Sequence, residues 1–450
     1  MLEILQDIIR RLFDMQNMIF SRRTSHDVYG YLAMAFSRIG KTECAERILS
    51  MISNLTIYAN AFKHLCLCLA RKSHYDIAIK MVEDLFIGSY TLDSIYGSQR
   101  HGCMSMNYRS SHMGLPVRDA YIRDIIVQAL ANGDIDVADR LSGLIMDPYI
   151  KIDVIGRLAL AHHRNGDMLT ATKLMIDALN MLNRMSEDVS IFLDSGNRRR
   201  QAMNAMALCS LAFRTQALNF NDLARQLMMN ALNVLFSMDD IVESAKTLSK
   251  IIRIARSEDY NVDASKIIEY AEGVLDSPMP PAVRVELLKE IALYYYGRGR
   301  MGYFITYMKS AIDAVMRIND EETRDRLIAD MVIDCLDEGI IGCSKYLVNK
   351  IIDERIRLEL MCEISAKMLG SNQREEAIEL VKRVQKYVAN APVSPKNAYL
   401  LGKVMSVLVR AGVRGNVPVL YSMFIQQLHR IKDSDVKARI LGEVALNMMD

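Results

Sequence analysis

The sequence has little proline and glycine, with 8 Pro and 22 Gly among 450 residues. Because both residues interrupt helices, their scarcity in a chain that is 51% hydrophobic favours a nearly all-helical structure. No apolar run approaches the ~18 residues that a membrane span needs, and the N-terminus lacks the layout of a signal peptide. We therefore expect an all-α, soluble, cytoplasmic protein that does not enter membranes.

The chain also has almost no excess of one charge, since 56 basic residues stand against 54 acidic ones. Attraction of the whole molecule to nucleic acid or to a membrane surface is therefore not expected, and a charged partner would need a local patch. The eight cysteines are scattered on apolar helix faces, without the spacing of a disulfide framework or a zinc site. This usage is typical of reduced, buried thiols in the cytoplasm.

Motifs for catalysis and cofactor binding are missing as well. The chain contains no GxxxxGK[ST], no GxGxxG after a strand, no HExxH and no GxSxG. His101, Cys103 and His112 lie close together, but their spacing matches no zinc pattern. Adjacent carboxylates such as Asp239 and Asp240 lie where helices begin and suit capping better than acid–base chemistry. We expect no enzymatic activity, no cofactor and no metal.

What the sequence does contain is a recurring helix–turn–helix unit, shown most clearly by residues 155–178. Apolar and small residues recur there at steps of three and four on both sides of a break at Asn165-Gly166-Asp167. Gly166 can end the first helix in a left-handed conformation, and Asp167 or Thr170 can cap the second. Neither helix can bury its apolar stripe alone, so each pair needs neighbours.

The unit returns along nearly the whole chain at a spacing of 33 to about 40 residues. Each second helix is expected to begin near a small residue that packs against the first helix, although Phe304 and Val417 are larger. The ten positions are Ala45, Ala78, Ala138, Ala171, Ala224, Ala264, Phe304, Ser344, Ala377 and Val417. This periodicity predicts an α-α superhelix, an α-solenoid of about ten helix–turn–helix units.

The units resemble tetratricopeptide repeats (TPR). Tyr29, Leu32, Ala33, Phe36, Gly40 and Ala45 fall at the steps of that family's pattern, as do Leu158, Ala159, Gly166, Ala171 and Ala178. The match is degenerate, because Ile126, Ile252, Val332 and Met405 occupy a position that is usually small. The resemblance implies a right-handed solenoid whose first helices line a concave face that holds a peptide.

The predicted array spans residues 26–430 and contains two inserts without helical periodicity, at about 88–118 and 184–204. Residues 1–25 and 431–450 are expected to form capping helices at the two ends. The last of these looks like a first helix without a partner.

On the concave face that the resemblance implies, the predicted partner-binding residues are Arg123, Arg164, Phe213, Arg253, Arg256, Lys289, Leu293, Tyr296 and Arg326. The same face is also expected to carry Arg38, Lys63, Arg71, Lys246, Arg410, Asp27, Asp153, Glu286, Asp337, Glu359, Leu67, Val127, Leu160 and Ile333. An excess of positive charge with apolar pockets would suit an acidic, amphipathic peptide, so the favoured function is a non-enzymatic scaffold for a protein or peptide partner. The alternative is a nucleic-acid-binding repeat protein that uses the basic residues, including Arg198–Arg200. Ordinary helix–helix contacts and solvated charges would explain these residues equally well, and the sequence does not decide the oligomeric state.

Overall fold

The computed structural model describes residues 4, 6–11, 22–38, 41–52, 55–83, 117–187, 197–257, 263–370, 373–390, 392–413, 415 and 417–449. Within these ranges all regular secondary structure is helical and no strand occurs. The prediction of an all-α helical-repeat fold is confirmed.

Within each described range, the helices follow one another with short turns. In chain order they are α1 (Arg22–Arg38), α2 (Thr42–Leu49), α3 (Leu55–Arg71), α4 (Val117–Asn132), α5 (Ile135–Ser142), α6 (Pro148–Arg164), α7 (Met168–Glu187), α8 (Asn197–Ala217), α9 (Asn221–Phe236) and α10 (Ile241–Ser257). They continue with α11 (Ser265–Leu275), α12 (Pro281–Gly297), α13 (Met301–Met316), α14 (Glu321–Asp337), α15 (Ile341–Val348), α16 (Glu354–Leu369), α17 (Arg374–Asn390), α18 (Pro395–Arg410), α19 (Val417–Arg430) and α20 (Ser434–Met449). Residues 6–11 and 75–83 are also helical.

The predicted repeat register is confirmed by burial. All ten predicted anchor residues, from Ala45 to Val417, lie in the first turn of a second helix or directly before it, and all are less than 9% exposed. The turn residue Gly166 has φ +84°, and the Asp167 side chain accepts a hydrogen bond from the Thr170 amide at 3.1 Å. The unit that the sequence shows most clearly therefore has the turn and the cap that were predicted for it.

The chain divides into two compact units, one of which is Leu69–Arg317. In this unit, α6, α7 and α8 share an apolar core to which both helices of the 155–178 repeat contribute. Its fully buried members include Ala159, Ala171, Ala178, Leu211 and Ala212. The stacking of one pair on the next buries the stripes that neither helix could bury alone.

The other unit combines Met1–Cys68 with Ile318–Asp450. In this unit α20 packs against both α18 and α1, so two helices from opposite ends of the chain are neighbours. Tyr31 on α1 donates a hydrogen bond to Glu443 on α20, and Arg38 donates to the Leu446 carbonyl. This contact with a helix from the opposite end of the chain was not predicted from the sequence.

The first predicted insert lies almost entirely outside the described residues, which exclude 84–116, whereas only 188–196 of the second lies outside them. Residues 184–187 end α7 and residues 197–204 begin α8, so the helices extend into the second range that was predicted to be irregular. His101, Cys103 and His112 also lie outside the described residues.

Candidate binding groove

A groove of about 560 Å³ runs over three successive first helices, α14, α16 and α18, within the second of these units. We call it the A-helix groove. Its lining residues are Ala329, Ile333, Leu336, Asp337, Ile356, Glu359, Leu360, Glu363, Ala366, Lys367, Lys403 and Arg410. Four of these, Ile333, Asp337, Glu359 and Arg410, are residues that the repeat register predicts on the concave face.

The helical period explains why these side chains share one surface. On α14 the lining residues are spaced by four, three and one, and α16 repeats this three-to-four spacing from Ile356 to Lys367. The apolar members form the floor, and Ile333 leaves 45% of its surface exposed. An exposed branched apolar residue on a first helix is available to a partner without any rearrangement of the core.

One wall of the A-helix groove is an ion-pair cluster between α16 and α18. Lys403 donates to Glu363 at 2.6 Å and to Glu359 at 3.1 Å. The Tyr399 hydroxyl donates to the same Glu359 at 3.2 Å, and the ammonium lies 5.4 Å from the Tyr399 ring centroid. Burial lowers the pKa of Lys403, but Glu363 and Glu359 outweigh it and hold that pKa above its ordinary value. Lys403 therefore stays charged and joins two successive repeats.

The predicted residues Arg253, Arg256 and Lys289 come together in the other unit, between α10 and α12. Arg253 donates to Glu290 at 2.6 Å and to Glu286 at 2.5 Å, whereas Lys289 donates to Glu286 at 2.8 Å. The Arg256 guanidinium lies 3.4 Å from Glu290, which is fully buried. Three cations thus face two carboxylates, so half of the six cations predicted to bind a partner pair with acidic residues of α12.

A similar cluster joins α6 and α8, and sequence reasoning missed its centre. Arg214 is fully buried and donates to Asp153 at 2.6 Å, while Arg157 donates to the same carboxylate at 3.2 Å. Gly156 makes room for it, since a Cβ there would lie 2.7 Å from the Arg214 Cδ. Burial raises the pKa of Asp153, but Arg214 and Arg157 hold it well below its ordinary value. A glycine at a fixed register position opposite a long cation is the sequence signal that could have found this pair.

The other predicted residues do not form one site. Phe213 and Leu293 are 0% exposed, so their prediction as partner-binding residues is wrong: they face the core. Tyr296 is half-buried against the Phe304 ring, with 5.3 Å between centroids.

The three remaining predicted cations lie on three different helices. Arg123 is 18% exposed and pairs with Asp124 at 2.7 Å, and Arg164 is exposed at the end of α6. Arg326 is exposed on α14, three residues before the groove residue Ala329. Only Arg326 among the predicted partner-binding residues lies on a helix of the A-helix groove.

The described residues contain no group of three or more His, Cys, Asp and Glu side chains arranged to hold a metal ion. Over the same ranges, no helix is long and apolar enough to cross a membrane.

Comparison with known proteins finds no matching family model and no matching curated protein. Solved structures that resemble the chain include Ton1535 from Thermococcus onnurineus NA1, at 12% identity over 76% of this chain and 98% of that one, with a TM-score of 0.25. A circular tandem repeat protein with a novel repeat topology matches at 13% identity over 99% and 91%, with a TM-score of 0.21. A human IFIT1 dimer with PPP-AAAA matches at 13% identity over 94% of both chains, with a TM-score of 0.24. Likenesses this weak carry no functional argument.

Proposed function

We propose that this protein is a non-enzymatic scaffold of TPR-like repeats that binds a peptide segment of a protein partner in the A-helix groove. The observation that carries the proposal is the combination of the exposed apolar Ile333 with charged side chains on three successive first helices. Scattered thiols support the cytoplasm as its place of action.

The lining chemistry specifies the ligand more closely than the sequence did. Three acidic and three basic residues line the groove, but Lys403 is committed to Glu359 and Glu363. The exposed cations Lys367 and Arg410 lie toward the C-terminal ends of α16 and α18. We infer a ligand with an apolar side chain against Ile333 and an acidic residue next to it that faces the exposed Lys367.

The alternative of nucleic-acid binding has less support from these charges. Several basic residues on the first helices of Leu69–Arg317, among them Arg253, Arg214 and Arg157, face carboxylates at 2.5–3.2 Å. A paired cation releases fewer counterions on meeting phosphate, so it contributes less to binding.

The proposal is tested by selecting peptides from a random display library against the full-length protein. The dissociation constant of a selected peptide is then measured by calorimetry for the wild type, for Ile333→Asp and for Val419→Asp. Val419 is a matched control because it is 62% exposed on α19 and lies outside the groove lining.

A charge in the apolar floor should weaken binding at least about tenfold, or ~1.4 kcal/mol, whereas Val419→Asp should leave the affinity unchanged. A peptide that binds Ile333→Asp as tightly as the wild type would place the site elsewhere. Failure to select any peptide would contradict the scaffold function itself.

A further inference from the structure

Two cysteine side chains of one repeat contact each other across its turn. Cys335 lies on α14 and Cys343 on α15, and the Cys335 thiol is hydrogen-bonded to the Cys343 sulfur. Cys335 is fully buried, whereas Cys343 is partly exposed. The pair therefore consists of one thiol that reagents in solution can reach and one that they cannot.

The backbone around the turn holds the two helices close together. The Ile340 amide donates to the Cys335 carbonyl at 2.7 Å, and the buried Ser344 hydroxyl donates to the Val332 carbonyl at 3.3 Å. Cys335 itself accepts the bond from Ile340, and Cys343 is adjacent in sequence to Ser344. Both cysteines therefore lie where hydrogen bonds hold α14 and α15 together.

Side chains at the same two positions are also in contact in another repeat, so the geometry of the helix–turn–helix unit itself brings these positions together. Tyr295 and Tyr303 are also eight residues apart across a turn, and Tyr303 also comes one residue before the buried anchor of its second helix. Their rings stack with centroids 4.7 Å apart. A thiol at each of these two positions is accordingly well placed for a bond between the sulfurs.

We propose that Cys335 and Cys343 form a dithiol site that hydrogen peroxide oxidises to a reversible intrachain disulfide. In the first step the Cys343 thiolate attacks one peroxide oxygen, the O–O bond breaks, and a sulfenic acid and water result after proton transfer. In the second step the Cys335 sulfur attacks the Cys343 sulfur, the S–O bond breaks, and the hydroxyl leaves as water with the Cys335 proton. The two thiols lose two electrons and the peroxide gains them.

The environment of Cys343 favours the first step. The hydrogen bond from Cys335 lowers the pKa of the Cys343 thiol and outweighs the opposite effect of burial. Since the thiolate is the reactive form, partial exposure and a lowered pKa together make Cys343 the attacking sulfur.

The test uses the full-length protein, treated with hydrogen peroxide and then with iodoacetamide, digested with trypsin and analysed by mass spectrometry. Cleavage after Arg326 and Lys345 places both cysteines in one peptide, 327–345. We expect this peptide to lose both alkylation sites together and to become two hydrogen atoms lighter, and dithiothreitol to restore both sites. The variant Cys335→Ala should instead accumulate a sulfenic acid at Cys343 that dimedone labels, with circular dichroism confirming that the variant is folded.

Cys44 provides an internal control in the same digest. It is exposed and also comes one residue before the anchor of its second helix, but the position eight residues earlier is Phe36. Oxidation there should give no intrachain disulfide. If 327–345 keeps both alkylation sites while Cys44 is oxidised, or if a disulfide forms only between chains, the proposal is wrong.

Discussion

The turn between the two helices of a repeat requires a residue with positive φ. Gly133, Gly166, Gly299, Gly339 and Gly412 occupy this turn in five repeats, with φ between 69° and 86°. In two others the residue is Ser73 or Asn219, at φ 61° and 67°. Glycine adopts this conformation without steric cost, whereas a Cβ makes it unfavourable by about 1–2 kcal/mol.

Ser73→Gly should therefore stabilise the protein. We expect the free energy of unfolding to rise by about 0.5–1 kcal/mol, because the relief of strain exceeds the loss of long hydrogen bonds from Ser73 to Tyr75 and Asp134 at 3.4 and 3.3 Å. Gly339→Ala should lower it by about 1 kcal/mol. Urea denaturation measures both; equal effects of the two changes would show that strain at the turn is not the cause.

Asp153 makes the stability depend on pH. Its pKa in the folded protein lies below the ordinary 3.8 of an unfolded aspartate, so its ion pair with Arg214 stabilises the fold above that pH. The contribution is lost as the pH falls from 3.8 toward the folded-state pKa, because the folded state must then take up a proton.

We therefore expect Asp153→Asn to be less stable than the wild type at neutral pH, and the difference to shrink below about pH 4. Urea denaturation at several pH values between neutral and about pH 3 measures it. A difference that stays constant over this range would mean that the carboxylate charge contributes nothing.

At the scale of the element, a buried aspartate of one first helix holds the start of the next. Asp119 on α4 accepts from the amides of Met146 and Asp147 at 2.7 and 2.6 Å. Asp325 on α14 accepts from Asp353 at 2.6 Å and from Ile352 at 3.0 Å. In both cases the amides lie 27 and 28 residues further on, just where the following first helix begins.

Asp325→Ala should be strongly destabilising, since it leaves two amides in the connection between repeats without their charged acceptor. We expect a loss of about 3 kcal/mol in the free energy of unfolding. Asp337→Ala, on the exposed surface of the same helix, should change it by less than about 0.5 kcal/mol. Thermal unfolding followed by circular dichroism compares the two, and similar melting temperatures would contradict a role for Asp325 in joining repeats.

The helices and their turns could be predicted because their signals are local. The anchors Ala45 and Ala171 and the turn residue Gly166 are each read from a few neighbours in sequence. The ion pairs and the aspartate contacts could not be predicted, because they depend on which residues face each other in successive repeats. Arg253 meets Glu290 37 residues later, whereas Glu363 meets Lys403 40 residues later. Because the repeats differ in length, the sequence did not show which residues face each other. The residues around Arg253 were predicted to form a groove but form an ion-pair cluster, and Phe213 and Leu293 lie in the core.

At the scale of the whole chain, one compact unit takes helices from both ends of the sequence. Gly442 on α20 lies directly against the Tyr31 ring on α1, and a Cβ at Gly442 would overlap that ring. No periodicity in the sequence indicates this contact, because the two residues are more than 400 positions apart.

Gly442→Ala should accordingly lower the free energy of unfolding by about 1–3 kcal/mol through overpacking. Gly273→Ala is the matched control: Gly273 is also within a helix, but a Cβ there meets nothing within 4 Å. That change should stabilise the protein by about 0.5–1 kcal/mol through helix propensity. If both variants gain stability, α1 and α20 do not pack as described.

The proposed binding of a partner in the A-helix groove is tested most directly by hydrogen–deuterium exchange of the full-length protein, with and without a saturating concentration of the selected peptide. We predict slower exchange in residues 329–337, 356–367 and 403–410, and no change in α13, a second helix that carries the exposed Ile305. Protection of α13 with unchanged exchange on α14 and α16 would contradict the claim.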